Sequence, residues 1–467
     1  MTPAAPPHAA ADLESDRRFE VGTLSWTQDL GCLIGTFRNY AELGRVLHSR
    51  HGDAYRSRLP TPTLSLAHPR HLHRILRSHV LNYPKSADYD LLRPLLGNGI
   101  FVSDGELWTR QRRLLAPEFR PAAVQQFLPL LVDTIEAIFG EWDGSGDGAE
   151  RDLSDDMMRL TLWAVGGALF KSDFRAEAEA IGHALEVCLA QGTLQMMSMG
   201  LLRPWMPTPG NLRARRAEHR LNAIVRHVIA RSRGGGGGDG DMLSRLLLAK
   251  DEETGSGMSD QQLLDEVKSL ILAGHETTSL ALSWTFYLLS QHPEVEARLV
   301  EETRRVLGGR RPTVDDVAQL EYTRMVFSET MRLYPPVPAV LRVARAADRF
   351  DGIEVAAGER IALNLYVTHR HPEFWPDPDR FDPERFAPSR ADSIAPYSYL
   401  PFLIGRRACL GEHFAMLESV LALAMIVDRY RFERLDGEPI PTRPISTLRL
   451  GRPLRVRVHR RGSSPRS

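Results

Sequence analysis

Cysteine is scarce in this sequence: 467 residues contain three, Cys32, Cys188 and Cys409. An odd number with no close pair argues against a disulfide framework, and three scattered thiols cannot supply the four ligands of a structural zinc site. A reducing, cytoplasmic compartment is expected. Net charge is absent too, because 59 Lys and Arg balance 59 Asp and Glu. A nucleic-acid partner would demand a strongly basic surface, so none is expected. Long hydrophobic runs are missing as well. The longest uncharged stretch, Thr277 to His292, is too short to cross a bilayer and carries Ser, Thr and Gln. Met1 to Arg18 lacks the apolar centre of a signal peptide. The expectation is a soluble chain that makes no use of a membrane.

What is present is helical periodicity over most of the length. Patterns with apolar residues three and four apart run over Pro121–Trp142, Leu153–Phe170, Arg175–Gly192, Asn211–Arg233 and Ser259–Ser290. Strand-like alternation is confined to the two ends. Ala54–Leu59 and Thr63–Ala67 read as a hairpin, as do Ile353–Val355 and Arg360–Asn364. The glycine run Gly234 to Gly238 reads as a loop between helices instead of a linker between domains. From Thr368 to Pro388 five prolines break all periodicity and predict a rigid meander. The reading is therefore mostly α, with a large helical body and a small β-rich lobe. Residues 1–17 and 460–467 are expected to be disordered around a single domain over 18–459.

Four motifs carry chemistry. The first is Pro401-Phe402-Leu-Ile-Gly405-Arg-Arg407-Ala-Cys409-Leu-Gly411, followed by an apolar helical run, Phe414 to Val427. A lone cysteine at a helix start is ordinarily just a small buried apolar residue. Here glycines that permit a tight loop, an aromatic, and an arginine recur around it at fixed spacing. The second is Glu329-Thr-Met-Arg332, a carboxylate and a guanidinium side by side on one helix face ahead of Pro335-Pro336. The third interrupts the apolar stripe of the Ser259–Ser290 helix with Ala273-Gly274-His275-Glu276-Thr277-Thr278. A mid-helix glycine costs about 1 kcal/mol relative to alanine, and threonine tends to bond back to its own helix. Such costs at a buried place suggest use. Ser259 and Gln262 read as a capping box at this helix's start. The fourth is Trp108-Thr-Arg-Gln-Arg112, whose two ends share one helix face.

Together and in this order, these motifs resemble the cytochrome P-450 family of haem-thiolate monooxygenases over nearly the whole chain. The departure is Leu403, where the family has a small or polar residue. The resemblance implies a single haem domain holding haem b, its iron ligated by the Cys409 thiolate, with Phe402 beside the sulfur and Gly411 closing the loop. Arg407, Trp108, Arg112 and Arg342 would meet the haem propionates, with Arg345 a rival for the last. Glu329, Arg332 and Arg385 would form a buried structural triad bracing the meander. Glu276 and Thr277 would steer protons through water to O2, the co-substrate. His275, about 200° round the helix from Thr277, would be structural.

The implied activity is insertion of one oxygen atom into a small lipophilic substrate, with electrons from NAD(P)H delivered by a ferredoxin and ferredoxin reductase to a monomer. Oxidative coupling, desaturation or rearrangement on the same fold is the nearest alternative, and a non-catalytic haem sensor the alternative of another class. Arg110, Arg113 and Arg406 are the arginines expected to face the electron donor. Tyr83–Phe101, Leu189–Pro209, Val337–Leu341 and Ile445–Leu448 would surround the substrate, with Met196, Met197, Met199 and Met206 an adaptable apolar wall.

Overall fold

The structure is a computed structural model that describes residues 18–170, 175–198, 202–233 and 241–462. The expected disorder of 1–17 falls outside these residues. At the other end the order runs past the expected limit. A strand extends over Arg455–Arg460 and the Arg461 guanidinium donates to Val427 O and Glu296, so the chain is structured beyond residue 459. Residues 463–467 are not described.

The chain divides into two compact units, neither continuous in sequence. Residues 1–88, 328–409 and 442–449 form one, and 89–327, 410–441 and 450–467 the other. The first is the β-rich lobe. Its five-stranded sheet runs in the order Gly22–Thr23, Ala54–Ser57, Thr63–Leu66, Arg360–Leu363, Val340–Val343. The hairpin expected between 54 and 67 is there, with Ala54 opposite Leu66. The second expected hairpin is not. Ile353–Val355 pairs with Asp348–Phe350, while Arg360–Leu363 lies parallel to Thr63–Leu66 and antiparallel to Val340–Val343. Lying between two strands, Arg360–Leu363 turns Ile361 and Leu363 into a core with Leu64, Leu66, Ile75, Leu76 and Leu400, against which Leu403 and Ile404 of the cysteine loop pack. Leu403 thus has an apolar role that a small or polar residue could not fill.

The second unit is helical. Its longest element, Asp260–Leu289, starts on the Ser259 side chain, which accepts from Gln262 N–H. The capping box is half made: the Gln262 side-chain oxygen accepts from Arg110 instead. The helix Leu153–Phe170 lies along it so closely that a β-carbon at Gly274 would come 2.9 Å from a Val165 methyl. The long pattern from Pro121 breaks at Gln126 and Phe127 into Pro121–Gln125 and Leu128–Ser145. Arg175–Met197 and Pro209–Arg231 pack together, the latter capped by Thr208 with proline in its first turn. Ala149–Asp152, Arg455–Arg460 and Tyr430–Arg434 make an antiparallel sheet beside an aromatic cluster of Phe139, Trp142, Tyr430, Phe432 and Phe286. No helix of the described residues is long and apolar enough to cross a membrane.

Candidate functional site

The cysteine loop is held from three directions within its own unit. Cys409 N–H donates to Phe402 O at 2.8 Å and Ala408 N–H to Gly405 O at 3.1 Å, closing the loop on itself. Gly405 has φ +72°, and a β-carbon there would sit 2.6 Å from Leu76 O, so only glycine fits. Leu403 also adopts a left-handed φ of 59°, a strained conformation for a leucine that its packing on the sheet core offsets. Gly411, by contrast, has an ordinary φ of −80° and begins the Glu412–Arg429 helix. Its conformational freedom is not what the loop uses. Cys409 is exposed, unlike an inert core thiol. Phe402 and Arg407 are half-buried and Arg406 is exposed.

Behind the loop lies the Glu329–Arg332 pair, both fully buried. Arg332 Nε and Nη2 donate to the two Glu329 oxygens at 2.6 and 2.8 Å. The rest of the guanidinium donates to three meander carbonyls: His369 at 2.9 Å, Pro378 at 2.7 Å and Arg380 at 3.1 Å. Its face lies over Trp375. Arg385 Nε stands 3.4 Å from Glu329 and its Nη2 donates to Asp377 O. The expected triad is therefore assembled, and Asp382 N–H adds a further bond to Glu329.

One residue of this network has no sequence signal. His369 is fully buried, and burial, with Arg332 and Arg370 next in order, pushes it down to about 3. Held neutral, it accepts from Leu400 N–H through Nε2 at 2.8 Å, while its carbonyl takes Arg332. It links the buried ion pair to the segment that leads into the cysteine loop. A histidine acting through its backbone and one ring nitrogen leaves no motif to read.

Arg342 lies on Val340–Val343, the last strand of the five-stranded sheet, 2% exposed. Its Nη1 donates to Leu341 O, but no acid pairs with it among the described residues and its Nε has no hydrogen-bond partner there. A buried cation in this condition calls for an anion. Its rival Arg345 is exposed. A haem propionate is such an anion, so the residues present fit the cofactor.

In the helical unit, the long helix shows where space is. From Leu263 to Leu289 every residue is buried except Leu270, Ala273, Gly274 and Thr277. Those four fall at i, i+3, i+4 and i+7, one face of the helix. The Thr277 hydroxyl donates to Ala273 O at 2.7 Å, the back-bond expected of it. Glu276 is buried beside this open stripe, not on it, and His275 is buried with its carbonyl accepting from Thr161 at 2.9 Å. Trp108 is buried and Arg112 half-buried one turn apart on Gly105–Leu115.

Two arginines differ from expectation. Arg110 donates to Gln262, Ser256 and Gly257, and Arg113 is ion-paired with Asp251 and Glu253. Both brace the loop before the long helix and are not free to meet a partner. A cavity of about 330 Å³ opens between residues 91–95, the end of Arg175–Met197 and the start of Pro209–Arg231, lined by Leu91, Leu92, Leu95, Trp205, Gln191 and Glu218 among others. Met206 is half-buried nearby, while the side chains of Met196, Met197 and Met199 lie outside the described residues.

A mostly helical chain with a less buried mid-helix stripe, an exposed cysteine in a braced loop and a buried arginine without an acid partner is the arrangement that a haem-thiolate enzyme requires. Residues 30–457 match the family profile described as cytochrome P-450. The chain is 37% identical, over 83% of its length and 84% of the relative's, to cyclooctat-9-en-7-ol 5-monooxygenase of Streptomyces melanosporofaciens. It is 31% identical to the pentalenene oxygenase of Streptomyces avermitilis, over 89% and 92% of the two chains. Among solved structures, the cytochrome P-450DA heme domain superposes with TM-score 0.84 over 95% of this chain and 99% of that one, at 26% identity. The chain belongs to the cytochrome P-450 family. It is a monooxygenase that uses haem iron and O2 to oxidise an organic substrate.

Proposed function

We propose that Cys409 is the iron ligand, that Arg342, Arg407, Trp108 and Arg112 hold the haem propionates, and that the substrate is a terpenoid. Phe402 shields the sulfur and Gly411 starts the helix that follows it. The haem, when bound, supplies the oxidising chemistry, its thiolate ligand favouring O–O cleavage. The observation that carries the reading is the open stripe Leu270, Ala273, Gly274, Thr277 on an otherwise buried helix. Gly274 lies at the edge of that stripe against Val165, where a β-carbon would come 2.9 Å from a methyl, so the glycine lets the two helices pack closely. Thr277 spends its proton on Ala273 O, so its oxygen offers lone pairs to the open side. It holds a water by accepting its hydrogen, and Glu276 next to it relays protons to that water. The terpenoid reading rests on the named relatives.

Electrons come from a ferredoxin served by its reductase. The exposed Arg406 and Arg77, on segments that touch at Gly405, suit an acidic donor, in place of Arg110 and Arg113. The chain acts as a monomer in the cytoplasm, and residues 18–462 together make up its haem domain.

The test is spectroscopic. Reduced, CO-bound protein should show the strongly red-shifted Soret band of thiolate ligation, lost in Cys409→Ala and kept in Cys188→Ala. Retention in Cys409→Ala would remove Cys409 as ligand. Titration with cyclic terpene alcohols should shift the haem spin state, whereas short polar alcohols should not. The reverse ranking would overturn the substrate class.

A further inference from the structure

Two acids, Asp265 and Glu266, sit side by side near the start of the Asp260–Leu289 helix, 3% and 0% exposed. Acids in an interior are costly unless hydrogen bonds satisfy them, and both of these reach the same loop. Asp265 accepts from Asn98 N–H at 2.9 Å and Glu266 from Ile100 N–H at 2.8 Å. Lys268, itself buried, stands 3.5 Å from Asp265, and Gln261 donates to that acid at 2.9 Å. From its other side the loop is held by Gln111, which donates to Asn98 O at 2.7 Å while its own oxygen accepts from Ser103.

Two glycines allow so close an approach. Gly97 has φ +57°, and a β-carbon there would collide with the Asp265 carboxyl group; one at Gly99 would collide with Ser269 Oγ and Asp265 O. The loop therefore lies directly on the helix. Nothing in the proton delivery assigned to Thr277 and Glu276 uses this contact. Its effect falls on Ile100 and Phe101, both half-buried, the Phe101 ring lying 6.1 Å from that of Tyr89. Glu266 and Leu270 are i and i+4 on one helix face. The bond to Glu266 thus sets Ile100 one turn ahead of Leu270, where the less buried stripe begins. Seven residues, or roughly 10 Å of helix, separate Leu270 from Thr277 at its other end.

We propose that Asp265 and Glu266 are positioning residues that pin Ile100 and Phe101 as a fixed end wall, limiting how far a substrate extends along the stripe from Thr277. The proposal rests on the reading that this stripe faces the bound haem. A loop whose amides bonded only to water would give way to a longer substrate. This one gives way only when buried acids lose their partners, so the wall sets which carbon of a long substrate can be presented for oxidation.

Ligands of increasing length measure the wall in the haem-loaded full chain. Imidazole, 4-phenylimidazole and 4-(biphenyl-4-yl)imidazole are titrated by the shift of the haem absorption. The parent should discriminate against the biphenyl compound. Glu266→Ala removes the anchor and Gly99→Ala pushes the loop off the helix. Each should ease the biphenyl compound relative to the phenyl one about tenfold, the worth of one buried hydrogen bond, with the CO spectrum unchanged. Glu266→Gln, whose side-chain oxygen still accepts from Ile100 N–H, should keep the parent's ratio. Imidazole alone, too short to reach the loop, should bind all four proteins alike; its failure in the parent would overturn the haem reading and the wall with it. An unchanged ratio in both Glu266→Ala and Gly99→Ala, or a Glu266→Gln protein that behaves as Glu266→Ala does, would overturn the wall alone.

Discussion

At the residue scale, Arg342 makes the sharpest prediction because it is stabilising for one state and costly for the other. A buried guanidinium without an anion is a liability to the haem-free chain, and a charge-assisted bond to a propionate is a gain to the loaded one. Arg342→Met, which keeps the length of the side chain, should raise the urea midpoint of the apoprotein by about 1–3 kcal/mol equivalent while speeding haem transfer to apomyoglobin. If both states lose stability, Arg342 is a packing residue. Thr277→Ala tests the other unit. Spin-state shift by substrate should persist while much of the NAD(P)H consumed ends as hydrogen peroxide; product per NAD(P)H equal to the parent's would remove Thr277 from proton delivery. The sequence pointed to Thr277 through a costly mid-helix motif and to Arg342 only through the family resemblance. It preferred Arg342 to its rival Arg345 without the physical ground that burial supplies, and it could not see that Arg110 and Arg113 meet partners at Gln262 and Asp251.

At the scale of elements, one cation organises the segment that periodicity could not describe. Arg332 donates to the carbonyls of His369, Pro378 and Arg380, groups a proline-rich chain cannot satisfy within a helix or strand. Arg332→Lys keeps the charge but offers a single nitrogen where three are in use. It should therefore fail nearly as badly as Arg332→Ala, at about 3–5 kcal/mol, read as haem bound per purified chain. A fully loaded Arg332→Lys protein would mean that charge alone is needed. Helices were legible because an amphipathic stripe is a local property. The strand Arg360–Leu363 was assigned the wrong partner because alternation marks which face is buried and says nothing of which strand lies alongside. His369 was invisible for a related reason: what it contributes is a carbonyl and one ring nitrogen at a place set by the fold.

For the whole molecule, three histidines buried in the β-rich unit predict how it responds to acid. His48 is pushed down to about 4 by burial despite its bond to Gly52 O; His71, between Phe19 and Phe350 and close to His68, Arg70 and Asp351, down to about 3; His369 also to about 3. Each lies below the value of about 6.5 expected in the unfolded chain. Above that pH neither state takes up the protons and stability does not change. As pH falls below it, the unfolded chain gains protons that the folded one refuses, and stability drops by about 1.4 kcal/mol per pH unit for each histidine. Between pH 6.5 and about 5 the three together remove on the order of 6 kcal/mol, comparable to the whole stability of a domain. Urea midpoints of the haem-loaded protein should thus be flat above neutrality and fall steeply below pH 6.5. His71→Phe, placed among phenylalanines that can accept it, should reduce that slope by one proton's worth. A slope identical to the parent's would mean that His71 titrates in the folded protein, with Asp351 at 3.7 Å as its partner.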